Sequence, residues 1–436
     1  MLVIAVTSAL ITPIGIAAAA TPVPPNTGGN SAAPAPPTAG VDTPTPVPPN
    51  NDTDSSDVVP PSIGNSPTPV PPPTDVAAGV GHDNQVRINQ IQTVGTHNSF
   101  HVEITDPEKA IREQAQPGSG TGGEEYSHAP IQQQLDGQKV RSLEFDLAQD
   151  PDGGRFTNPI LRQISGEGPW HPEVMNKPGI KVLHEEDVDY HTSCLTFVDC
   201  LKQVKDWLDK NPNAVPITIL LQFDQGNGPN FPGHPTQPML PWAHDSFTNA
   251  EQEVLSVFPR DRVITPDDVR HNGMTLRDSV LKYGWPTLRD ARGKVMFAMD
   301  NLRPEYLQGN DPSLAGRLFF TNAQDNGDKP DAAFMIRDEA PQLHDTIIDL
   351  VKQGYMIRTR ADAPTGEARS GDPTRREAAL TSGAQVVSTD YPVPGMAARF
   401  GSGYYASLAG NTVARCNPIN APATCKDADL DKAGQH

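Results

Sequence analysis

A single α/β domain, a TIM-type (β/α)8 barrel preceded by a disordered Pro-rich segment, is predicted by three features of the sequence. Short apolar runs alternate with amphipathic segments from about residue 85 onward. The runs carry Val, Ile, Leu and Phe, as strands covered on both faces do. Polar and charged residues gather where the runs end, the place where a parallel barrel carries its chemistry. The eight runs are 91–97, 141–147, 180–184, 216–224, 294–300, 332–337, 355–360 and 385–390. An open doubly wound sheet is the alternative, but no GxGxxG follows the first run, which argues against its dinucleotide-binding form.

The chain has 436 residues, with 46 Pro, and 34 Lys and Arg against 53 Asp and Glu give a net charge of −19. The length is ample for a large core. The acidity argues against a nucleic-acid binder, which needs a basic face, and against docking on anionic lipid through bulk charge.

Residues 1–20 read as a signal peptide: the run LVIAVTSALITPIGIAAAA closes on Ala18, Ala19 and Ala20, as an apolar stretch before a cleavage site does. The basic residues that usually precede such a run are missing, and an uncleaved anchor is the alternative. Pro13 and Gly15 would interrupt a spanning helix. Residues 21–84 are expected to be a disordered linker. TPVPPN occurs at Thr21 and Thr45 and TPVPPP at Thr68, with no Lys or Arg before Arg87. Too few apolar side chains occur there to offset ordering entropy, so a partly polyproline-II spacer follows. The barrel is assigned to 85–400, and 401–436 to a tail with a disulfide. Four cysteines, Cys194, Cys200, Cys416 and Cys425, allow three pairings; the local one is simplest and suits a secreted or cell-envelope protein.

Between the runs lie helical patterns. In Thr196–Lys210, Phe197, Leu201, Val204 and Leu208 recur on one face, and Asn211-Pro212 ends it. The segments 244–257, 340–352 and 374–382 are similar. Gly228–Trp242, with Phe231, Met239, Leu240 and Trp242, is either an interfacial loop or an irregular connection.

Several end-of-run residues have chemistry to offer. GTHNSF places His97 and Asn98 after the first run: an imidazole that titrates near neutrality beside a neutral oxygen ligand. RSLEFDL places Glu144 and Asp146 two apart, on one face of a strand. Two carboxylates there repel unless a cation or proton lies between them, and a hard divalent metal is the usual answer; pairing with Arg141 is the structural alternative. KVLHEED supplies His184, followed by an acidic loop. His184 and His191 could be zinc ligands, but the carboxylate and amide neighbours favour calcium or magnesium. One histidine can take a proton from an attacking hydroxyl and the other give one to the departing oxygen, while a cation steadies charge on phosphate oxygens. Arg358 and Arg360, alternating in IRTRAD, are candidates for binding phosphate, or for structural pairing with Asp362 or Asp390.

The series GTHNSF, YSHAPIQQQLDGQKVRSLEFDL, KVLHEEDVDYHTSCLTFVDCL, GYMIRTRAD and VVSTDYP resembles the calcium-dependent phosphatidylinositol-specific phospholipase C-like family of secreted bacterial proteins. The resemblance runs from about Asn89 to Pro392. It implies a TIM barrel, a bound calcium ion and a phospholipid substrate met at a membrane surface. The reaction it implies is cleavage of a phosphatidylinositol-type lipid to diacylglycerol through a cyclic inositol phosphate. By the resemblance His97 and His184 are the catalytic histidines, and Asn98, Glu144 and Asp146 are calcium ligands. Which histidine is base and which acid stays open. The run ITILLQFDQ departs from the family pattern: Gln222 stands where a glutamate would complete the calcium shell, with Asp224 two residues on and on the same face. His128 also matches the family text and is assigned no role. Two other functions compete: a glycerophosphodiester phosphodiesterase acting on a soluble diester, and a non-catalytic exported binding protein on the same barrel.

Overall fold

The computed structural model describes residues 80–433, apart from 116, 118–122, 169, 171, 229 and 325. The expected signal peptide and nearly all of the expected linker lie outside the described residues. Asp83 is held by Arg292 (Nε–Oδ2 2.7 Å), so the folded chain begins slightly before residue 85.

Eight strands form the barrel: β1 (Ile91–Thr96), β2 (Ser142–Ala148), β3 (Ile217–Phe223), β4 (Val295–Met299), β5 (Phe319–Phe320), β6 (Phe334–Ile336), β7 (Met356–Arg360) and β8 (Val386–Thr389). Neighbours pair in parallel in the order β5-β4-β3-β2-β1-β8-β7-β6. One residue closes the ring. Asn322, just past β5, pairs in parallel with Phe334. Its side chain accepts from the Ile336 N–H at 3.1 Å and donates to the Asp300 carbonyl at 2.7 Å, so an amide does the stitching that a longer strand would do.

Strand burial explains the composition. β1, β2, β4 and β8 are buried along their whole length, as barrel strands under a helix layer should be. At Gly95 the approach of β1 to β2 leaves no room for a side chain: a Cβ would stand 2.6 Å from Ser142 Cβ. The helices Phe197–Lys210, His244–Val257, Ala340–Gln353 and Thr374–Thr381 fall where the periodicity places them. The first is capped by Thr196, whose side chain accepts from the Asp199 N–H, and buries Phe197, Leu201, Val204 and Leu208.

One expected stave is wrong. The run 180–184 contributes only Lys181–Val182, which pairs antiparallel with the end of β2 and lies off the ring. A parallel neighbour needs a crossover that returns the chain to the starting face, usually through a full helix. Between β2 and Lys181 there are only the short helices Ile160–Ser165 and Pro172–Met175, so the chain turns back along the barrel mouth. The eighth stave is β5, two phenylalanines with no alternation to mark them.

Both disulfides are the local ones, Cys194–Cys200 and Cys416–Cys425. The second staples a strand, Ala414–Cys416, that pairs antiparallel with β1. The first closes a short loop at the start of the helix Phe197–Lys210. Removing it as Cys194→Ala/Cys200→Ala is expected to lower unfolding free energy by about 2 kcal/mol, the entropy of freeing so small a loop, as read by urea denaturation.

In Gly228–Trp242, Phe231, Met239 and Trp242 are buried. Trp242 packs on Phe223 and donates from Nε1 to the Asp224 carbonyl at 2.8 Å. The segment is an irregular connection rather than a lipid-facing loop. Among the described residues no helix is long and apolar enough to cross a membrane.

Candidate active site

His97 follows β1 on a turn that the sequence fixes closely. Asn98 sits in the left-handed region at φ 45°, which Asn tolerates better than most residues. Ser99 clasps β2: its N–H donates to the Glu144 carbonyl at 3.0 Å and its Oγ accepts from the Glu144 N–H at 2.8 Å. The His97 ring is then held at both nitrogens. Nδ1 donates to Asp390 Oδ1 at 2.8 Å, with the Tyr126 hydroxyl 3.2 Å away. Arg360 Nη1 stands 3.3 Å from Nε2. A guanidinium can only donate, so Nε2 carries a lone pair and the imidazole is neutral. Burial, with the Arg360 charge added to it, holds His97 well below the ordinary histidine range.

His184 is in the opposite state. Its Nδ1 lies 2.9 Å from Asp189 Oδ2. The same carboxylate is 3.0 Å from His101 Nε2, while His101 Nδ1 donates to the Tyr126 carbonyl at 3.0 Å. His101 is therefore a donor at both nitrogens, and Asp189 is a buried carboxylate between two imidazoles. Burial works against charge on His184, but the hydrogen bond and charge of Asp189 outweigh it and raise His184 well above 6.5. His101 is raised for the same reason, and Asp189 is pulled far down. His97 is thus set with a lone pair at Nε2, whereas His184 and His101 share the Asp189 carboxylate, which favours their protonated forms.

Asp146 is fully buried, and neither of its carboxylate oxygens has a hydrogen-bond partner; Asp224 Oδ2 has none either. Gln222 Nε2 donates to Asp224 Oδ1 at 3.0 Å. Burial pushes Asp224 up to about 7 and Asp146 well above the carboxylate range, the latter with added repulsion from Asp224 and Glu144. Burial likewise raises Glu144 to about 8 against the pull of Arg358. Orphaned buried carboxylates that repel one another fit a hard cation. Asp146, Asp224, Glu144, the Asn98 amide and the Gln222 amide offer oxygens of the right kind. Among the described residues no three His, Cys, Asp or Glu side chains stand as a ready-made metal cage.

The two arginines divide. Arg358 is 2% exposed and spends its guanidinium on Asp338 (Nη1–Oδ1 2.7 Å) and Glu144 (Nη2–Oε2 2.8 Å). Arg360 grips Asp390 Oδ2 at 2.8 Å and presents its other nitrogen to His97. His128 is structural: its Nε2 donates to the His97 carbonyl at 2.8 Å, and burial lowers it to about 3. His191 bonds Glu108 at 2.8 Å, away from the zinc role. Asp189, read from the sequence as part of an acidic loop that is solvated or lends one ligand to the metal, is instead buried between two imidazoles; His101 and Tyr126 were passed over. Their one signal was His101, four residues after His97.

A barrel with a neutral and a charged histidine and orphaned carboxylates at one face defines an acid–base site suited to a cation-assisted phosphodiesterase. Residues 86–418 match the family described as phosphoinositide phospholipase C, Ca2+-dependent. The match spans well over half the chain, and the chain belongs to this family of calcium-dependent enzymes. Among solved structures, the chain is similar to a calcium-dependent phosphoinositol-specific phospholipase C from Pseudomonas sp (16% identity, TM-score 0.46, covering 77% of this chain and 96% of that one). It is also similar to a Ca2+-dependent phosphatidylinositol-specific phospholipase C from Streptomyces antibioticus (17%, 0.44, 70% and 95%). A third is a glycerophosphoryl diester phosphodiesterase from Parabacteroides distasonis (11%, 0.29, 80% and 94%). No curated protein matches the chain.

Proposed function

We propose that the protein is a secreted phospholipase C that cleaves phosphatidylinositol at a membrane surface to diacylglycerol and a cyclic inositol phosphate. The observation that carries this reading is the opposed setting of the two histidines, Arg360 at Nε2 of His97 and Asp189 at Nδ1 of His184. The His97 Nε2 lone pair takes the proton of the inositol 2-hydroxyl, whose oxygen attacks phosphorus. His184 gives a proton to the departing glycerol oxygen. Asp390 holds His97 in the tautomer that leaves Nε2 free to accept. Arg360, whose Nη1 stands at His97 Nε2, gives up that contact to the incoming phosphate, and Arg358 acts behind it by fixing Glu144. Asn98, Glu144, Asp146, Asp224 and Gln222 would hold a calcium ion, which would supply positive charge opposite the phosphate oxygens. The disulfides suit an oxidising compartment, in keeping with export to the envelope or medium.

The test is phosphorus NMR of products from phosphatidylinositol vesicles, with calcium and with chelator. A cyclic inositol phosphate that needs calcium supports the reading. Release of a linear phosphate from a soluble glycerophosphodiester, with phosphatidylinositol untouched, would replace it with the soluble-diester enzyme.

Gln222 bears on the metal. An amide carries no charge and donates to Asp224, so one negative charge is missing beside Asp146. Gln222→Glu is expected to tighten calcium binding about tenfold, or ~1.4 kcal/mol, and to lower the melting temperature in chelator, where the extra charge has no cation to face. Calorimetric titration with calcium and thermal melts check both halves.

A further inference from the structure

Two branches of hydrogen bonds support the histidines, and one residue stands where the branches meet. The Nδ1–H of His97 is spent on Asp390 at 2.8 Å. His184 rests on Asp189, which also accepts from His101 Nε2 at 3.0 Å. Tyr126 touches both branches. Its hydroxyl lies 3.2 Å from His97 Nδ1, and because that nitrogen carries the proton, the hydroxyl oxygen accepts a share of it. Its carbonyl takes the Nδ1–H of His101 at 3.0 Å.

Neither Tyr126 nor His101 is placed to meet substrate: the first is 3% exposed and the second fully buried. Packing fixes the tyrosine ring. It lies against the rings of His101, His128 and Tyr391, with centroids 4.7, 5.0 and 6.1 Å away. Hydrogen bonds fix the segment that carries it. The His128 N–H donates to the His101 carbonyl at 3.0 Å, and His128 Nε2 donates to the His97 carbonyl at 2.8 Å. Upstream, Gly123 has φ 98°, and a Cβ there would stand 2.6 Å from Pro364 Cβ, so the turn into the segment requires glycine.

A ring anchored by one hydrogen bond can still rock about it, and a misaimed nitrogen costs rate. A rigid residue with a polar group on each branch removes that freedom from both rings at once. We propose that Tyr126 is a positioning residue serving both histidines: its hydroxyl steadies the His97–Asp390 pair, and its carbonyl, through His101, steadies the Asp189 carboxylate on which His184 rests. The inference rests on the phospholipase reading above for the chemistry the two rings perform; the positioning is a property of the free protein.

The test uses two variants. Tyr126→Phe deletes the hydroxyl and keeps ring and carbonyl. His101→Asn keeps a short N–H donor toward the Tyr126 carbonyl but no longer reaches Asp189. Ring and N–H signals of His97 and His184 are followed by nitrogen-edited NMR, beside steady-state kinetics on phosphatidylinositol vesicles. For Tyr126→Phe we expect the His97 Nδ1–H signal to move and its exchange with water to quicken, with His184 unmoved. Its kcat falls about 3- to 10-fold with KM unchanged, as for one neutral hydrogen bond that acts on the chemical step. For His101→Asn the pattern reverses: the His184 signals move, those of His97 stay, and kcat falls about 10- to 100-fold, as for a bond to a charged group. In a His97→Ala background Tyr126→Phe costs nothing further, because the hydroxyl acts through that ring. An unmoved His97 signal with unchanged kcat in Tyr126→Phe would overturn the proposal. So would an equal loss in both backgrounds, or a loss carried by KM. Collapse of the thermal transition in either variant would make the segment a structural brace and overturn it too. A wild type inert on phosphatidylinositol would remove the phospholipase reading, while the ring signals would still decide the positioning.

Discussion

His97→Ala is expected to lower turnover of phosphatidylinositol about 10³-fold, within the range general base catalysis supplies, with KM little changed. The effect is large because Glu144, the carboxylate facing Nε2, lies beyond hydrogen-bond distance and is assigned to the metal. Arg360 stands 3.3 Å away but only donates. Glu144 is 3.9 Å away and is engaged by Arg358. Folding should survive, since Asp390 keeps Arg360 as its partner when the imidazole is gone. Asp390→Asn tests the same dyad from the other side. An amide can offer its N–H to Nδ1 and leave the proton on Nε2, where it blocks attack, so a loss approaching that of His97→Ala is expected. Single-turnover assays beside urea denaturation separate chemistry from stability. Activity within tenfold of wild type in His97→Ala would show that another group is the base.

Much of this site was legible because its residues end strands. His97, Glu144, Asp146, Gln222, Asp224 and Arg360 each sit within or just past a buried apolar run, and the strand period of two alone puts Glu144 with Asp146 and Gln222 with Asp224 on shared faces. What escaped was carried by connections. Asp189 and Tyr126 lie in loops without periodicity, and their partners, His101 and His97, are fixed by tertiary packing. His184 was placed correctly at the mouth for the wrong reason: its run is an antiparallel return, not a stave. β5 was invisible because two residues cannot show a period, and Asn322 looks like any loop amide until its two hydrogen bonds across the seam are seen. The proposed roles of base and acid were unreadable because both are histidines; only burial beside Arg360 and contact with Asp189 separate them.

That separation makes Asp189→Asn the second large effect. In the proposed mechanism the acid is protonated His184, and its folded-state pKa lies above 6.5 because the Asp189 carboxylate outweighs burial. The competent form is therefore present below that raised pKa and disappears as pH climbs through it, giving wild type a high-pH limb on the alkaline side of neutrality. The ion pair contributes to stability with the same sense: fully below about 6.5, and lost as pH rises through the folded value. Asparagine keeps the shape but removes the largest influence favouring the charged ring, leaving burial opposed only by the weaker charges of Glu124 and Asp146. The His184 pKa then falls and the high-pH limb moves to lower pH. At pH 7.5 turnover is expected to fall about 10²- to 10³-fold, through a scarce acid form and a less firmly held ring, and to recover partly toward pH 5.5. A pH–rate profile of both proteins, with the His184 ring shifts followed by NMR, reads this directly. A uniform loss at every pH would mean that Asp189 only positions the ring, and an unchanged high-pH limb would remove His184 as the acid.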